Sequence, residues 1–191
     1  MEGVRFQGAH LDAVHQDTRD DEPDLRGERE DLIAARIAEI RAGGVTVAAS
    51  LSPAKTAQFA KSVVDAGVDI FVIRGTTVSA EHVAPSDASD PLNLKQFIYE
   101  LDVPVIVGGC ATYQAALHLM RTGAAGVLVG FGGGAAHTTR DVLGVRVPMA
   151  SAIADVAAAR RDYMDESGGR YVHVIADGGV GRSGDLPKAI A

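Results

Sequence analysis

The residues that most suggest chemistry form a glycine-rich turn, Gly130-Phe131-Gly132-Gly133-Gly134, which directly follows a short apolar run. Backbone N–H groups in such a turn can surround an anion such as a phosphate group. The same glycines would also allow a tight connection from a strand to a helix without any ligand. The spacing alone leaves both interpretations open.

Other side chains that could do chemistry lie beside predicted strand ends. His137 and Thr139 follow the turn, and an imidazole can act as an acid, a base or a hydrogen-bond donor, whereas the threonine could equally be a helix N-cap. Arg74 follows the apolar run Phe71-Val72-Ile73 and could meet a phosphate or form a loop ion pair. Cys110 is the only cysteine, and we expect it to be a small buried side chain.

These residues lie between strands and helices that alternate along the chain. Each short β-branched run is followed by a loop and a helix whose end is marked by glycine, and the runs are apolar enough to be covered on both faces. This alternation predicts a buried parallel sheet. The predicted strands cover 45–49, 70–73, 105–107, 127–129 and 171–175, and the predicted helices lie near 54–65, 93–101, 112–121, 150–164 and 184–190.

Two parallel architectures fit this alternation: an open doubly wound sheet, and a closed barrel that usually needs about 250 residues. The first would place a Gly-x-Gly-x-x-Gly turn after the first strand, whereas the glycine-rich turn of this chain follows the fourth. Phosphate-binding loops after late strands are typical of barrels. We therefore predict an α/β fold that is an incomplete (β/α)8 TIM barrel with about five parallel strands.

Charge divides the chain unevenly. The 191 residues have a formal net charge of −7, which argues against general nucleic-acid binding. Most of the acidity lies in residues 1–32, which we interpret as a mobile N-terminal segment that precedes one domain over 33–191. From Leu32 the apolar spacing predicts a helix that ends at Gly43-Gly44.

Several function classes conflict with the composition. A single cysteine excludes an internal disulfide, no leader-peptide pattern opens the chain, and no run is apolar enough to span a bilayer. We therefore expect a cytoplasmic protein with neither a membrane nor a nucleic acid as its partner. The histidines His118 and His173 have no metal-ligand spacing.

Six motifs in one order give the second half of the chain a resemblance to a known family. It resembles the catalytic barrel of the IMP dehydrogenase/GMP reductase family, and within that family the less characterised bacterial paralogues of IMP dehydrogenase. Residues 45–103 look like preceding β/α units of the same barrel. The motifs are Pro104-Val105-Ile106-Val107-Gly108-Gly109, Gly123-Ala124-Ala125-Gly126-Val127-Leu128-Val129-Gly130, Gly132-Gly133-Gly134-Ala135-Ala136-His137-Thr138-Thr139-Arg140, Gly144-Val145-Arg146-Val147-Pro148, Ala152-Ile153-Ala154-Asp155-Val156, and Val174-Ile175-Ala176-Asp177-Gly178-Gly179 with Ser183-Gly184-Asp185.

The resemblance implies an oxidoreductase of purine nucleotide metabolism and GMP biosynthesis. In this family a loop cysteine adds to a carbon of the purine ring, C2 in the dehydrogenase and C6 in the reductase, of a nucleoside monophosphate (IMP, GMP or XMP). A nicotinamide cofactor, NAD or NADP, exchanges hydride at the same carbon. Asp177 matches the aspartate that accepts hydrogen bonds from the ribose hydroxyls, although it could instead cap the next turn. Gly134, Gly178 and Gly179 match positions where N–H groups approach the phosphate, and Ala135 replaces a phosphate-binding serine. The resemblance also implies a homo-oligomer if the barrel is complete.

The nucleophile position departs from the family pattern. His137 stands where the family has its cysteine, and an imidazole would not form the same adduct as a thiolate. Thr139 matches a threonine that assists proton movement. We therefore predict His137 and Thr139 as catalytic residues, and keep as the alternative a noncatalytic nucleotide-binding paralogue or fragment. Another phosphate-binding barrel enzyme, such as an isomerase or lyase, is a third interpretation.

The resemblance also suggests cofactor positions. Arg74 replaces an aspartate that holds the cofactor ribose, and Gly109 replaces an asparagine, so both are candidate cofactor-binding residues. The carbonyls of Gly132, Gly134 and His137 match positions that bind a monovalent cation, which makes K⁺ a candidate cofactor. The family continues with a further strand and a mobile flap, and begins with strands for which 1–32 offer no substitute. We therefore interpret the sequence as truncated at both ends, and the direction of the reaction stays open.

Overall fold

The apolar runs of the sequence form parallel strands that alternate with helices. The computed structural model describes residues 6–10, 26–75, 81–82, 92–131, 142 and 144–190. Contacts divide the chain into two units, one made of Met1–Ile73 with Asp102–Val105 and the other of Arg74–Leu101 with Ile106–Ala191. No helix within the described ranges is long and apolar enough to cross a membrane.

Three parallel strands and two helices build the first unit. Strands β1 (Phe6–His10) and β3 (Ile70–Arg74) each pair in parallel with β2 (Thr46–Leu51), and only the last residue of β3 belongs to the second unit. Helix α1 (Arg26–Ala42) precedes β2, and α2 (Pro53–Asp65) connects β2 to β3. The two helices pack on each other and on β2.

Alternating burial along β2 and β3 builds the core of this unit. Every second residue of each strand is buried, as expected when successive side chains point to opposite faces. The side chain of Phe71 has no exposed surface, and its N–H donates to the carbonyl of Pro104 at 3.0 Å. The largest buried apolar side chains of the unit are Ile37, Val47, Leu51, Phe59, Val63, Val68, Phe71, Ile73 and Val105.

The second unit repeats the pattern. Strands β6 (Val105–Cys110) and β8 (His173–Ala176) pair in parallel with β7 (Gly126–Val129). Helix α4 (Tyr113–Arg121) connects β6 to β7, and α5 (Met149–Glu166) follows β7 in sequence, packs on α4 and contacts β7 and β8. The remaining described elements are the antiparallel pair β4 (Glu81–His82) and β5 (Leu92–Asn93), and helices α3 (Leu94–Glu100) and α6 (Asp185–Ile190).

Local signals in the sequence set where the helices begin and where they end before the next strand. The Thr112 hydroxyl accepts the N–H of Ala115 at the start of α4, and Asn93 accepts the N–H of Gln96 at the start of α3. Gly123 follows α4 with a φ of 99°, which L side chains rarely adopt. The predicted glycine stop before β7 is therefore confirmed, and it fixes where that strand begins.

All five predicted strands and all five numbered helices are present, with bounds shifted by a few residues. β1 was not predicted, because its sequence, Phe6-Gln7-Gly8-Ala9-His10, contains no β-branched residue. Helix α1 begins at Arg26, before the predicted Leu32, because Arg and Glu are good helix formers that need no apolar spacing. β1 and the start of α1 thus lie within residues 1–32, the segment that we interpreted from its charge as a mobile N-terminal segment.

Candidate functional site

The candidate site lies in the second unit, at the carboxyl ends of its strands. Gly75, just after β3, donates its N–H to the carbonyl of Gly108 at 2.8 Å and accepts the N–H of Gly109 at 2.9 Å. Gly109 was predicted as a cofactor-binding position, and the structure places it beside the residue that follows Arg74. Ligands of parallel α/β folds bind at this end of the strands, which makes the edge a reasonable place for a site.

Two further hydrogen bonds extend this edge to β7 and β8. Gly130, directly after β7, donates its N–H to the carbonyl of Cys110 at 2.9 Å. Asp177, directly after β8, donates its N–H to the carbonyl of Val129 at 2.8 Å. The first residue of the glycine-rich turn and the predicted ribose-binding carboxylate therefore follow neighbouring strands at the same edge.

An ion pair connects the carboxyl end of β3 to the carboxyl end of β8. The Nε of Arg74 donates to Oδ2 of Asp177 at 3.1 Å, although the two residues are 103 positions apart in sequence. The side chains keep 41% and 36% of their surface exposed, so both remain accessible to a ligand. The structure thus brings together the predicted cofactor-binding arginine and the predicted substrate-binding aspartate.

A close backbone approach requires glycine at position 130. Gly130 has a φ of 151°, and a β-carbon there would lie well inside 3.0 Å of the Asp177 carbonyl oxygen. It would also lie 3.1 Å from the methyl group of Met149. A side chain at this position would displace the backbone of Asp177 or force the turn to move. The sequence identified Gly130 by its place in a turn, but not by this contact.

Gly108 has a similar role between β6 and β7. A β-carbon at Gly108 would lie 2.6 Å from the carbonyl oxygen of Leu128 and closer still to its Cβ. The pairing register between the strands shifts between Gly108 and Cys110. Glycine therefore allows β6 to approach β7 closely just before the edge that carries the candidate site.

The backbone after Asp177 turns through two glycines. Gly178 and Gly179 have φ values of 80° and 69°, conformations that favour glycine over any other residue. The Asp185 carboxylate accepts the N–H groups of Gly181 at 3.2 Å and Arg182 at 3.0 Å. This carboxylate therefore organises the later part of the loop.

Cys110 ends β6 at this edge, but its thiol is buried. The residue exposes 4% of its surface, and its Sγ lies 3.5 Å from the carbonyl oxygen of Leu128. Loss of hydration raises the pKa of the Cys110 thiol to about 12, because burial disfavours the thiolate. The expectation of a small buried side chain is confirmed, and this thiol is not available as a nucleophile near neutral pH.

A cavity of about 670 Å³ lies away from this edge, near the amino ends of the strands. Arg121 and Gly123 line it just before β7, and Arg170 lines it before β8. Arg121 donates to both carboxylate oxygens of Glu166, at 2.8 and 2.6 Å, and Arg170 donates to the carbonyl of Gly123. These arginines hold the ends of α4 and α5 together through hydrogen bonds to protein groups. The cavity therefore does not coincide with the candidate site at the carboxyl ends of the strands.

Comparison with known proteins identifies the family. The profile of the IMP dehydrogenase / GMP reductase domain matches residues 29–191. The chain belongs to this family. The family was therefore predicted correctly from the six motifs, and the α/β fold with parallel strands was predicted correctly from the alternation of strands and helices.

Relatives in this family are similar over most of the chain. Proteins named uncharacterized oxidoreductases from Mycolicibacterium smegmatis and Mycobacterium tuberculosis are each 60% identical over 162 residues, covering 84% of this chain and 43% of theirs. The inosine-5′-monophosphate dehydrogenase of Haemophilus influenzae is 40% identical over 134 residues, 68% of this chain and 24% of that enzyme. The chain thus spans less than half the length of these relatives.

A solved structure shows the same similarity. The IMP dehydrogenase/GMP reductase-like protein from Corynebacterium glutamicum has a TM-score of 0.75 and 53% sequence identity, covering 84% of this chain and 41% of that one. At this identity the likeness extends beyond the fold to the family. The chain is therefore a member of an oxidoreductase family.

Several of the predicted site residues belong to the segment that follows Phe131. Gly132, Gly134, Ala135, His137 and Thr139 lie outside the described residues. Their predicted roles in phosphate binding, catalysis and K⁺ ligation stay predictions. Among the described residues, no group of three or more His, Cys, Asp and Glu could hold a metal ion.

Proposed function

We propose that this chain binds a purine nucleoside monophosphate, such as IMP, GMP or XMP, and takes part in IMP dehydrogenase- or GMP reductase-like oxidoreductase chemistry. The proposal includes NAD or NADP as the hydride carrier, a cytoplasmic location and assembly into a homo-oligomer. Membership of the oxidoreductase family supports the reaction class. The local geometry supports the site.

One observation carries the proposal: Gly130 and Asp177 meet at one edge. The glycine-rich turn begins at Gly130, and the Asp177 backbone lies against it. A mononucleotide needs a carboxylate for its sugar hydroxyls and backbone N–H groups for its phosphate, within the length of one ribose phosphate. Asp177, partly exposed at a strand end, would accept the hydroxyl hydrogens, and the turn with Gly178 and Gly179 would approach the phosphate.

The cofactor positions fit only in part. The nicotinamide group would supply the hydride chemistry when bound. Gly109 leaves the strand edge free of a side chain, which suits a close approach by a flat ring. Arg74, in contrast, has only donors and cannot accept hydrogen bonds from a cofactor ribose, as the family aspartate would. Its guanidinium would instead suit a phosphate group, and it already donates to Asp177.

Ligand binding by the 191-residue chain tests the proposal directly. We expect IMP, GMP or XMP to raise the thermal unfolding midpoint, because a ligand that binds only the folded chain stabilises it by an amount that grows with the logarithm of the ligand concentration above Kd. Asp177→Asn should weaken that stabilisation, since an amide offers one acceptor oxygen in place of two. Asp155→Asn, at an exposed position on α5, is the matched control. No stabilisation of the wild-type chain by any of the three nucleotides would contradict the proposal.

A second candidate function is nucleotide binding without turnover. The buried Cys110, with a pKa of about 12, favours it, because the only thiol of the chain cannot replace the nucleophile missing at position 137. His137 and Thr139 would then hold the nucleotide or move protons without forming a covalent adduct. Such a protein would sense or regulate purine nucleotides.

Turnover separates the two functions. IMP dehydrogenation consumes IMP, NAD⁺ and water and yields XMP, NADH and a proton, so NADH absorbance reports it; loss of NADPH absorbance with GMP reports the reductase direction. Turnover that falls in His137→Ala and Thr139→Ala, and persists in Cys110→Ala, would support the enzyme. Saturable nucleotide binding with no change in absorbance in either direction would support the noncatalytic function.

A further inference from the structure

The side chain of Arg74, the last residue of β3, pairs with the side chain of Asp177, which directly follows β8. Along this edge, hydrogen bonds run from Gly75 to β6, from Gly130 to β6 and from Asp177 to β7. The Arg74–Asp177 bond of 3.1 Å joins the two ends of that row. The row of backbone bonds is thereby closed into a ring, and the ring includes the first residue of the glycine-rich turn.

The chemistry of the pair sets up a competition at the carboxylate. An ionised carboxylate only accepts hydrogen bonds, a guanidinium only donates them, and the two hydroxyls of a ribose donate to the same oxygens. Arg74 already takes one acceptor position on Oδ2 of Asp177. A ribose that uses both oxygens therefore meets a site that another donor partly fills.

We infer that Arg74 competes with the sugar hydroxyls of a bound nucleotide for Asp177, and so sets the affinity of the site for ribonucleotides. The inference rests on the proposed nucleotide site and concerns a residue that the family pattern does not supply. Arg74 leaves Oδ2 when the ribose binds, and its exposed guanidinium turns towards solvent or towards an anionic group of the ligand.

The exposure of the pair sets the size of the effect. With 41% and 36% of their side-chain surfaces exposed, Arg74 and Asp177 form a solvent-screened pair that opens easily. Removing the competitor should tighten ribonucleotide binding by about 1.4- to 5-fold, which corresponds to the usual strength of an exposed ion pair. The gain should shrink at high salt, where such pairs weaken.

The test compares IMP with its 2′,3′-dideoxy analogue by calorimetric titration of the full chain. Both ligands carry the same phosphate, so any long-range attraction between the Arg74 charge and the ligand cancels in the ratio of their affinities. Arg74→Gln should raise the affinity for IMP relative to the affinity for the dideoxy analogue by about 1.4- to 5-fold. Arg161→Gln removes the same charge from an exposed position on α5 and should leave the ratio of the two affinities unchanged.

Each result has a distinct meaning. If Arg74→Gln lowers the affinity for IMP relative to the affinity for the dideoxy analogue, Arg74 positions the carboxylate for the ribose. That result would overturn the inference that the two compete. If it changes both ligands equally, the arginine acts only through its charge, which also overturns the inference. If the wild-type chain binds neither ligand, the proposed function fails and the inference fails with it. The affinity ratio of Arg74→Lys should lie between those of the wild type and Arg74→Gln, since lysine keeps the charge but lacks Nε.

Discussion

The backbone of Gly130 lies so close to the carbonyl group of Asp177 that no β-carbon fits between them. This contact joins the residue that opens the glycine-rich turn to the residue that carries the proposed ribose-binding carboxylate. The N–H of each residue also donates to a neighbouring strand, that of Gly130 to the carbonyl of Cys110 and that of Asp177 to the carbonyl of Val129. The position of the carboxylate therefore depends on the absence of a side chain at 130.

Gly130→Ala should destabilise the chain and displace Asp177. The added methyl group would meet the Asp177 carbonyl and the Met149 methyl group, and overpacking of this kind costs about 1–3 kcal/mol. Gly168→Ala is the matched control, because Gly168 also has a positive φ, 72°, but a β-carbon there meets open space. Urea unfolding measures both variants, and equal losses of stability would show that backbone strain alone matters at position 130.

Cys110 should resist thiol reagents in the folded chain. Its pKa of about 12 leaves almost no thiolate at pH 7–8, and its 4% exposure leaves little room for a reagent. We expect no labelling by iodoacetamide under native conditions and full labelling in urea, read by mass spectrometry. Rapid native labelling would mean that the end of β6 opens readily, and would undermine its assignment as an inert side chain.

The sequence predicted most of the fold because its strands are β-branched and its helices end at glycines. Val127 and Val129 form a run that is buried on both faces, and Gly123 marks where the preceding helix stops. β1 escaped prediction because it lacks β-branched residues, and β4 and β5 because they contain two residues each. Periodicity cannot detect elements of that length.

Only part of the candidate site could be predicted from the sequence. Arg74 and Asp177 each follow an apolar run, which placed both at strand ends, but their contact spans 103 positions. That distance depends on which strand ends lie beside each other, and no local pattern encodes it. Gly130 was read as a turn residue for the same reason, since its clash with Asp177 arises only in three dimensions.

Phe71→Ala should cost far more stability than removal of an exposed aromatic ring. The Phe71 side chain is fully buried, and removing such a ring leaves a cavity that typically costs about 3–5 kcal/mol. Tyr99→Ala removes a ring that is 90% exposed, and should change the unfolding midpoint little. If Phe71→Ala does not fold, Phe71→Leu provides the same comparison with a smaller loss. Similar midpoints for Phe71→Leu and wild type would argue against a packed core around β3.

Asp69 should link the stability of the first unit to pH. Its carboxylate accepts the N–H of Val47 at 2.7 Å and a guanidinium hydrogen of Arg41 at 3.1 Å. The Val47 hydrogen bond, and then the Arg41 hydrogen bond, lower the pKa of Asp69 below its ordinary value of 3.8. A group with a lowered pKa in the folded state binds fewer protons than in the unfolded state, so it stabilises the fold when ionised.

The sign of that linkage defines the measurement. The contribution of Asp69 is fully present above the unfolded pKa, near 3.8, and is lost as the pH falls through the lower folded pKa. Urea midpoints between pH 2 and pH 7 should therefore fall on the acid side in the wild type, and fall less steeply in Asp69→Asn, which should also start from a lower midpoint at pH 7. Asp31→Asn, at an exposed position on α1, should retain the wild-type slope. Identical acid slopes for Asp69→Asn and wild type would show that the carboxylate does not anchor β2 through Val47.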